Sequence, residues 1–150
     1  MNLTDRKVLI TGGDGFVGRH LTRRLLERGI SKENLFIPKR ADFDPVRSRT
    51  QTQASATSNG VDLRRWEDCQ KVLEEQDLVI HLAAKVGGIG LNKERPGELF
   101  YDNLIMGAHL MEAARQAGVE KFVGVATICS YPKFTPAPFK ENDLWNGYPE

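Results

Sequence analysis

An α/β chain on a doubly wound parallel sheet is what this sequence predicts, and three observations predict it. Short, continuously apolar runs recur along the chain, as in strands buried on both faces. Stretches of helical spacing separate them, and strand–helix alternation gives a parallel sheet covered by helices. The first apolar run then passes straight into glycines at spacing G-x-x-G-x-x-G, namely Gly12, Gly15 and Gly18, which open a helix. In that position the first glycine permits a tight turn and the second lets the backbone approach a pyrophosphate. The third allows close packing of the helix. N–H groups of the first helical turn, at Phe16, Val17 and Gly18, and the positive end of the helix dipole then face the anion. Three glycines could also make an ordinary turn; their place between a strand and an amphipathic helix favours dinucleotide binding. The rival phosphate loop fails, because Arg19 and His20 stand where Lys and Ser/Thr are required.

Taken in order, residues 7–11 form strand one. The first helix runs to about Arg28 with Val17, Leu21, Leu25 and Leu26 on one stripe, and Gly29 stops it. Leu35, Phe36 and Ile37 make strand two, ended by Pro38 and the basic pair Lys39 and Arg40. Residues 45–60 hold one large apolar residue, Val46, among Ser, Thr, Gln, Asn and Ala, and read as an exposed, flexible insertion. Order returns at Val61, Asp62 and Leu63. A helix follows with Trp66, Cys69, Val72 and Leu73 at helical spacing, so Cys69 is a core residue. Residues 77–84 are the next buried strand, entering a glycine-rich loop at 85–90. Pro96 begins a helix to Ala117, with Leu99, Asn103, Met106, Leu110 and Ala114 along one face. Residues 121–126 are the last clear strand, leading to Thr127, Ile128, Cys129, Ser130 and Tyr131. The chemistry-bearing residues therefore collect at the C-terminal ends of strands, where such sheets bind ligands.

Composition narrows the function. The 150 residues suffice for one domain with a real core. Lys and Arg number 21 against 20 Asp and Glu, so no net field points to nucleic acid or membrane. The arginines at 19, 23, 24 and 28 read as a solvated helix face. No apolar stretch reaches membrane length, and Met1 leads into Asn, Leu, Thr, Asp and Arg, so no signal sequence is expected. Cys69 and Cys129 make no metal-binding or C-x-x-C pattern, so no metal is expected and a reducing cytoplasm is the expected setting.

Four segments together resemble the extended short-chain dehydrogenase/reductase family, whose members bind NAD(P) on a Rossmann sheet. They are TGGDGFVG (11–18), HLAAKVGGIG (81–90), ELFYDNLIMG (98–107) and ICSYPKFTPAPFKE (128–141). The first is common to the superfamily. The AAKVGGIG and CSYPK segments are narrower, and resemble a branch that epimerises and reduces a GDP-4-keto-6-deoxy sugar. The resemblance covers nearly all the chain except the insertion at 45–60.

The resemblance implies specific roles. Thr127 takes the place of a family Ser/Thr whose hydroxyl binds the sugar's C4 oxygen; read alone, it is a strand-end hydroxyl that satisfies nearby backbone. Cys129 matches the family's epimerisation cysteine, a thiolate that removes a proton beside a keto group; read alone, it is a small buried hydrophobe. Asp62, Leu63, Leu82, Ala83 and Ala84 join the glycine turn, Lys39 and Arg40 around the cofactor. Lys85, Val86, Gly87 and Gly88 fall near nicotinamide and substrate. His81 reads as structural, His20 and His109 as helix-surface residues, and Asn103 as structural or catalytic. Lys39 and Arg40 favour NADP(H) over NAD(H), while Asp14 repels phosphate and Asp42 keeps NAD open. The partner implied is a GDP-sugar, handled by a homodimer in the complete enzyme. The family's Tyr-x-x-x-Lys pair, a histidine acid and the substrate domain are expected beyond Glu150. The sheet is therefore expected to be incomplete at its C-terminal side, and these residues alone inactive. Within these 150 residues, none of Tyr101, Tyr131 and Tyr148 is followed by a lysine four residues later.

Overall fold

Four parallel strands form the sheet of the computed structural model, which describes residues 3–40 and 60–148. They are β1 (Val8–Thr11), β2 (Leu35–Phe36), β3 (Leu78–His81) and β4 (Lys121–Gly124), in the order β2-β1-β3-β4. The helices are α1 (Phe16–Glu27), α2 (Trp66–Val72), α3 (Ile89–Glu94) and α4 (Pro96–Gln116). The insertion read at 45–60 and Asp42 lie outside the described residues, apart from Gly60.

Every residue of β1 is buried, because helices cover the sheet on both sides of it. Alternation divides its side chains. Val8 and Ile10 join Leu25 of α1, Ile30 and Leu78 on one face. Leu9 and Val79 join Leu63, Cys69, Val72, Leu73, Leu110, Ala113 and Ala114 on the other, where α2 and α4 pack. The register sets Thr11 opposite His81 and His81 opposite Gly124, so β1, β3 and β4 end level with one another. That common edge carries the site.

Several expectations are corrected. Val17 and Leu26 are exposed, and only Leu21 and Leu25 of the expected stripe turn to the core. The contact face of α1 is narrower than its apolar residues suggest. Regular pairing in β3 stops at His81, although the Leu82 N–H still donates to the Thr11 carbonyl at 3.0 Å. The glycine-rich loop closes into α3, with Gly88 as its N-cap. β4 ends at Gly124 and is an outer strand of the sheet among the described residues; Val123 is 38 % and Val125 67 % exposed. His109 is half-buried, with its ring edge-on to Trp66 at 5.7 Å. On α4 the buried set is Leu99, Asp102, Leu110, Ala113 and Ala114, a charged residue among apolar ones.

Candidate dinucleotide site

The turn after β1 is made by backbone. Gly12 has φ +70°, a left-handed conformation open to glycine at little strain. A Cβ there would also stand 2.8 Å from the Ala83 nitrogen, so Gly12 brings the turn against the exit of β3. At Gly18 a Cβ would come within 2.4 Å of the Gly12 carbonyl oxygen, so α1 starts directly on the turn. Gly15 is the N-cap of α1; its N–H donates to the Gly12 carbonyl at 3.0 Å and no side chain caps the helix. The first-turn N–H groups, including those of Phe16 and Val17, have no intrahelical acceptors. They fit an anion.

Thr11 was not singled out from the sequence, yet it holds this edge together. It is fully buried, shares a 2.7 Å hydrogen bond between its Oγ1 and His81 Nδ1, and accepts the Ala83 N–H at 3.3 Å. Burial pushes the His81 pKa below its ordinary value, so the ring is neutral at pH 7. The structural reading of His81 stands.

Lys39 and Arg40 follow β2 and are exposed. The Val61 N–H donates to the Lys39 carbonyl at 2.9 Å, and Arg40 pairs with Val61 in a parallel bridge. That bridge sets Asp62 and Leu63 beside the basic pair. The Leu63 side chain lies in the core, where its carbonyl accepts the Cys69 thiol at 3.1 Å. Arg64 grips the Asp62 carboxylate through Nη2 at 2.7 Å and Nε at 2.9 Å. Burial raises the Asp62 pKa, but the bonds from Arg64 outweigh it and leave the carboxyl below its usual range.

Past β3, Leu82 and Ala83 are half-buried while Ala84, Val86, Gly87 and Gly88 are exposed. The Lys85 ammonium pairs with Asp102 and Glu98. Its backbone is fixed by Asn103, which accepts the Lys85 N–H at 2.7 Å and donates to the Lys85 carbonyl at 2.9 Å. Asn103 is therefore a structural clamp on this loop. Asp102 escaped the sequence reading. The signal was there: an acid three residues after Leu99, inside an apolar helical stripe.

Thr127 and Cys129 sit beyond β4 on the same edge. The Thr127 hydroxyl oxygen accepts the Cys129 N–H at 3.2 Å and caps a one-turn 3-10 helix, Ile128–Ser130. Cys129 is exposed, which overturns the reading of it as a small buried hydrophobe. Cys69 is the buried thiol. Burial, with Asp68 and Asp62 nearby, pushes its pKa up to about 12 and makes it inert. Among the described residues no group of His, Cys, Asp and Glu could hold a metal ion, and no helix is long and apolar enough to cross a membrane.

A parallel, doubly wound sheet with a glycine turn opening its first helix defines a dinucleotide-binding α/β protein. Residues 8–149 match the NAD dependent epimerase/dehydratase family, and the chain belongs to it. GDP-mannose 3,5-epimerase of Arabidopsis thaliana is 33 % identical over 149 residues, covering 96 % of this chain and 38 % of that protein. GDP-L-fucose synthase of Sinorhizobium fredii is 42 % identical over 89 residues, covering 58 % of this chain and 28 % of that protein. A crystal structure of a GDP-L-fucose synthetase from Naegleria fowleri bound to NADP superposes with TM-score 0.70 at 25 % identity. It is matched by all of this chain over 40 % of its own length. The chain thus spans about two fifths or less of the length of these relatives.

Proposed function

We propose that the chain is the cofactor-binding portion, a partial domain, of an NADPH-dependent GDP-4-keto-6-deoxymannose 3,5-epimerase/4-reductase that makes GDP-L-fucose. The observation that carries this reading is the shared sheet edge. One end of it is a glycine turn shaped for a pyrophosphate, and the other an exposed Cys129 beside Thr127. Gly12, Gly15 and Gly18, with the N–H groups of Phe16 and Val17, would hold the pyrophosphate. Lys39 and Arg40 would take the 2′-phosphate by charge-assisted bonds, and Asp62, Leu63, Leu82, Ala83 and Ala84 would line the groove between. When bound, the nicotinamide supplies a hydride to the 4-keto carbon.

The chain's own residues then do the following. The Cys129 thiolate removes a proton from a carbon next to the keto group, made acidic by that carbonyl. Thr127 accepts the Cys129 N–H on its oxygen and still has its own O–H to donate to the sugar's C4 oxygen. Lys85, Val86, Gly87 and Gly88 would border the substrate. A tyrosine four residues before a lysine, the family's proton donor and its tuner, does not occur in these 150 residues, so we expect them to be inactive alone. Free Cys69 and Cys129 suit a cytoplasmic setting. Phe100, Tyr101, Leu104 and Met111 make an exposed apolar stripe on α4 that suits a homodimer, and the exposed β4 suits self-association of the isolated chain.

A second reading, a GDP-mannose 3,5-epimerase, is favoured by the Arabidopsis relative's similarity along nearly the whole chain. The first reading uses Cys129 as a base. Only the first ends in net reduction. The test is NADPH consumption, with deuterium uptake at C3 and C5 in heavy water, by a form carrying the proton-donor pair. Deuterium uptake with oxidation of NADPH supports the first reading. Uptake without net oxidation supports the second.

A further inference from the structure

α4 lays Leu99, Leu110, Ala113 and Ala114 on the core, and a carboxylate stands on that same buried side: Asp102 is 4 % exposed. A buried carboxylate is unfavourable unless cations meet it, and two do. Lys85 Nζ, from the segment leaving β3, donates to Oδ2. Arg64 Nη1, from the segment entering α2, donates to Oδ1 at 3.3 Å. Burial pushes the carboxyl's pKa up, but the bonds from Lys85 and Arg64 prevail and keep it below the usual range. It is charged at neutral pH.

Each cation is also tied to the backbone or side chains of its own segment. Lys85 is fixed through Asn103, the next residue of α4. Arg64 holds the Asp62 carboxylate, and the Asp62 N–H donates to Asp68 Oδ2 at 2.9 Å. One turn of α4 therefore connects two segments far apart in sequence, 62–64 and 82–88, both on the ligand edge. The first lies on the adenosine side, since Val61 pairs with Arg40. The second runs from the glycine turn, through Ala83, towards the nicotinamide side.

We propose that Asp102 is a positioning residue of the dinucleotide site, holding the adenosine-side and nicotinamide-side segments in one spatial relation and so setting affinity for the whole cofactor. This rests on the dinucleotide reading above. A ligand spanning both segments must order them relative to each other, and pre-ordering removes that cost. A ligand touching only one segment has no such cost. Lys85 keeps Glu98 and Arg64 keeps Asp62 when the central charge is removed, so each segment retains an anchor.

The test uses D102N, similar in shape but uncharged, in the purified chain. NADPH and adenosine 2′,5′-bisphosphate, which carries the adenosine half alone, are titrated in parallel. NADPH affinity is expected to fall about tenfold, within the range of ordinary site-to-site coupling, and that of the bisphosphate less than about twofold on the same scale. A merely structural role would weaken both alike. Unchanged NADPH affinity in D102N, or equal loss for both ligands, overturns the proposal. Failure of the unsubstituted chain to bind NADPH overturns the dinucleotide reading itself. A second measurement needs no ligand: hydrogen exchange of the free chain beside D102N. Faster exchange in 82–88 as well as 62–64 in D102N supports the coupling, and an unchanged rate in either segment overturns it.

Discussion

The turn after β1 and the segment after β4 share one edge of the sheet and are built in opposite ways. The turn is a backbone object, with Gly12 pressed against Ala83, Gly18 against Gly12, and Thr11 buried beneath. The β4 exit is a side-chain object. Thr127 and Cys129 are exposed, and the bond linking them spans two residues in the 3-10 turn that follows an outer strand. Anion binding needs rigid donors, which packed backbone supplies without side-chain chemistry. Proton transfer needs a reachable thiol, which close packing would bury and neutralise, as it does at Cys69.

This contrast can be broken at several points. The largest effect belongs to Cys129→Ser in a form carrying the proton-donor pair. Deuterium uptake at C3 and C5 should drop ~100- to 10,000-fold, the usual worth of a general base. The urea midpoint should barely move, as for exposed substitutions within about 0.5 kcal/mol. Cys69→Ser should do the reverse, losing about 1–3 kcal/mol through a buried hydroxyl with the chemistry intact. Normal deuterium uptake by Cys129→Ser would make the exposed thiol incidental.

Next is Gly18→Ala. The new methyl meets backbone at 2.4 Å, which no rotamer change relieves, so α1 must shift off the turn. NADPH affinity should fall about 100-fold, near the upper end of ordinary overpacking at about 1–3 kcal/mol. Gly88→Ala, whose Cβ meets nothing within 4 Å, is the control and should fold as stably as the parent. Arg40→Ala sits outside the rigid turn. Losing about 2 kcal/mol of charge-assisted bonding should weaken NADPH tens-fold and leave NADH alone. Equal losses for both cofactors would remove Arg40 as the selector.

The smallest effect concerns His81. Its folded pKa is depressed by burial below the ordinary 6.5, so the unfolded chain takes up the proton first. Stability is full above about pH 6.5 and should decline as pH falls below it. Urea midpoints at pH 7.5 and 5.5 would show the slope, and His81→Gln should flatten it. An unchanged slope would assign it to another group.

The legible parts of this molecule are those whose signals are local. The glycine spacing, the helix from Pro96 to Gln116 and the burial of Cys69 all follow from neighbours a few residues away. What escaped depends on distant partners. Thr11 finds His81 across 70 residues and Arg64 finds Asp102 across 38, and neither pairing leaves a periodic trace. The stripe on α1 was overcounted for a related reason. Val17 and Leu26 have helical spacing, but burial depends on what faces the helix. Cys129 taken alone reads as buried and by resemblance as catalytic, and the exposed turn beyond β4 shows the thiol to be reachable.

The central claim is that a backbone-built turn on this edge holds NADP(H). Titration of the purified chain with NADPH, followed by nicotinamide fluorescence, tests it most directly. The account predicts weak but saturable binding, tens-fold weaker in Arg40→Ala by the loss of its charge-assisted bonds and about 100-fold weaker in Gly18→Ala. Binding that never saturates, or that survives Gly18→Ala unchanged, would contradict it.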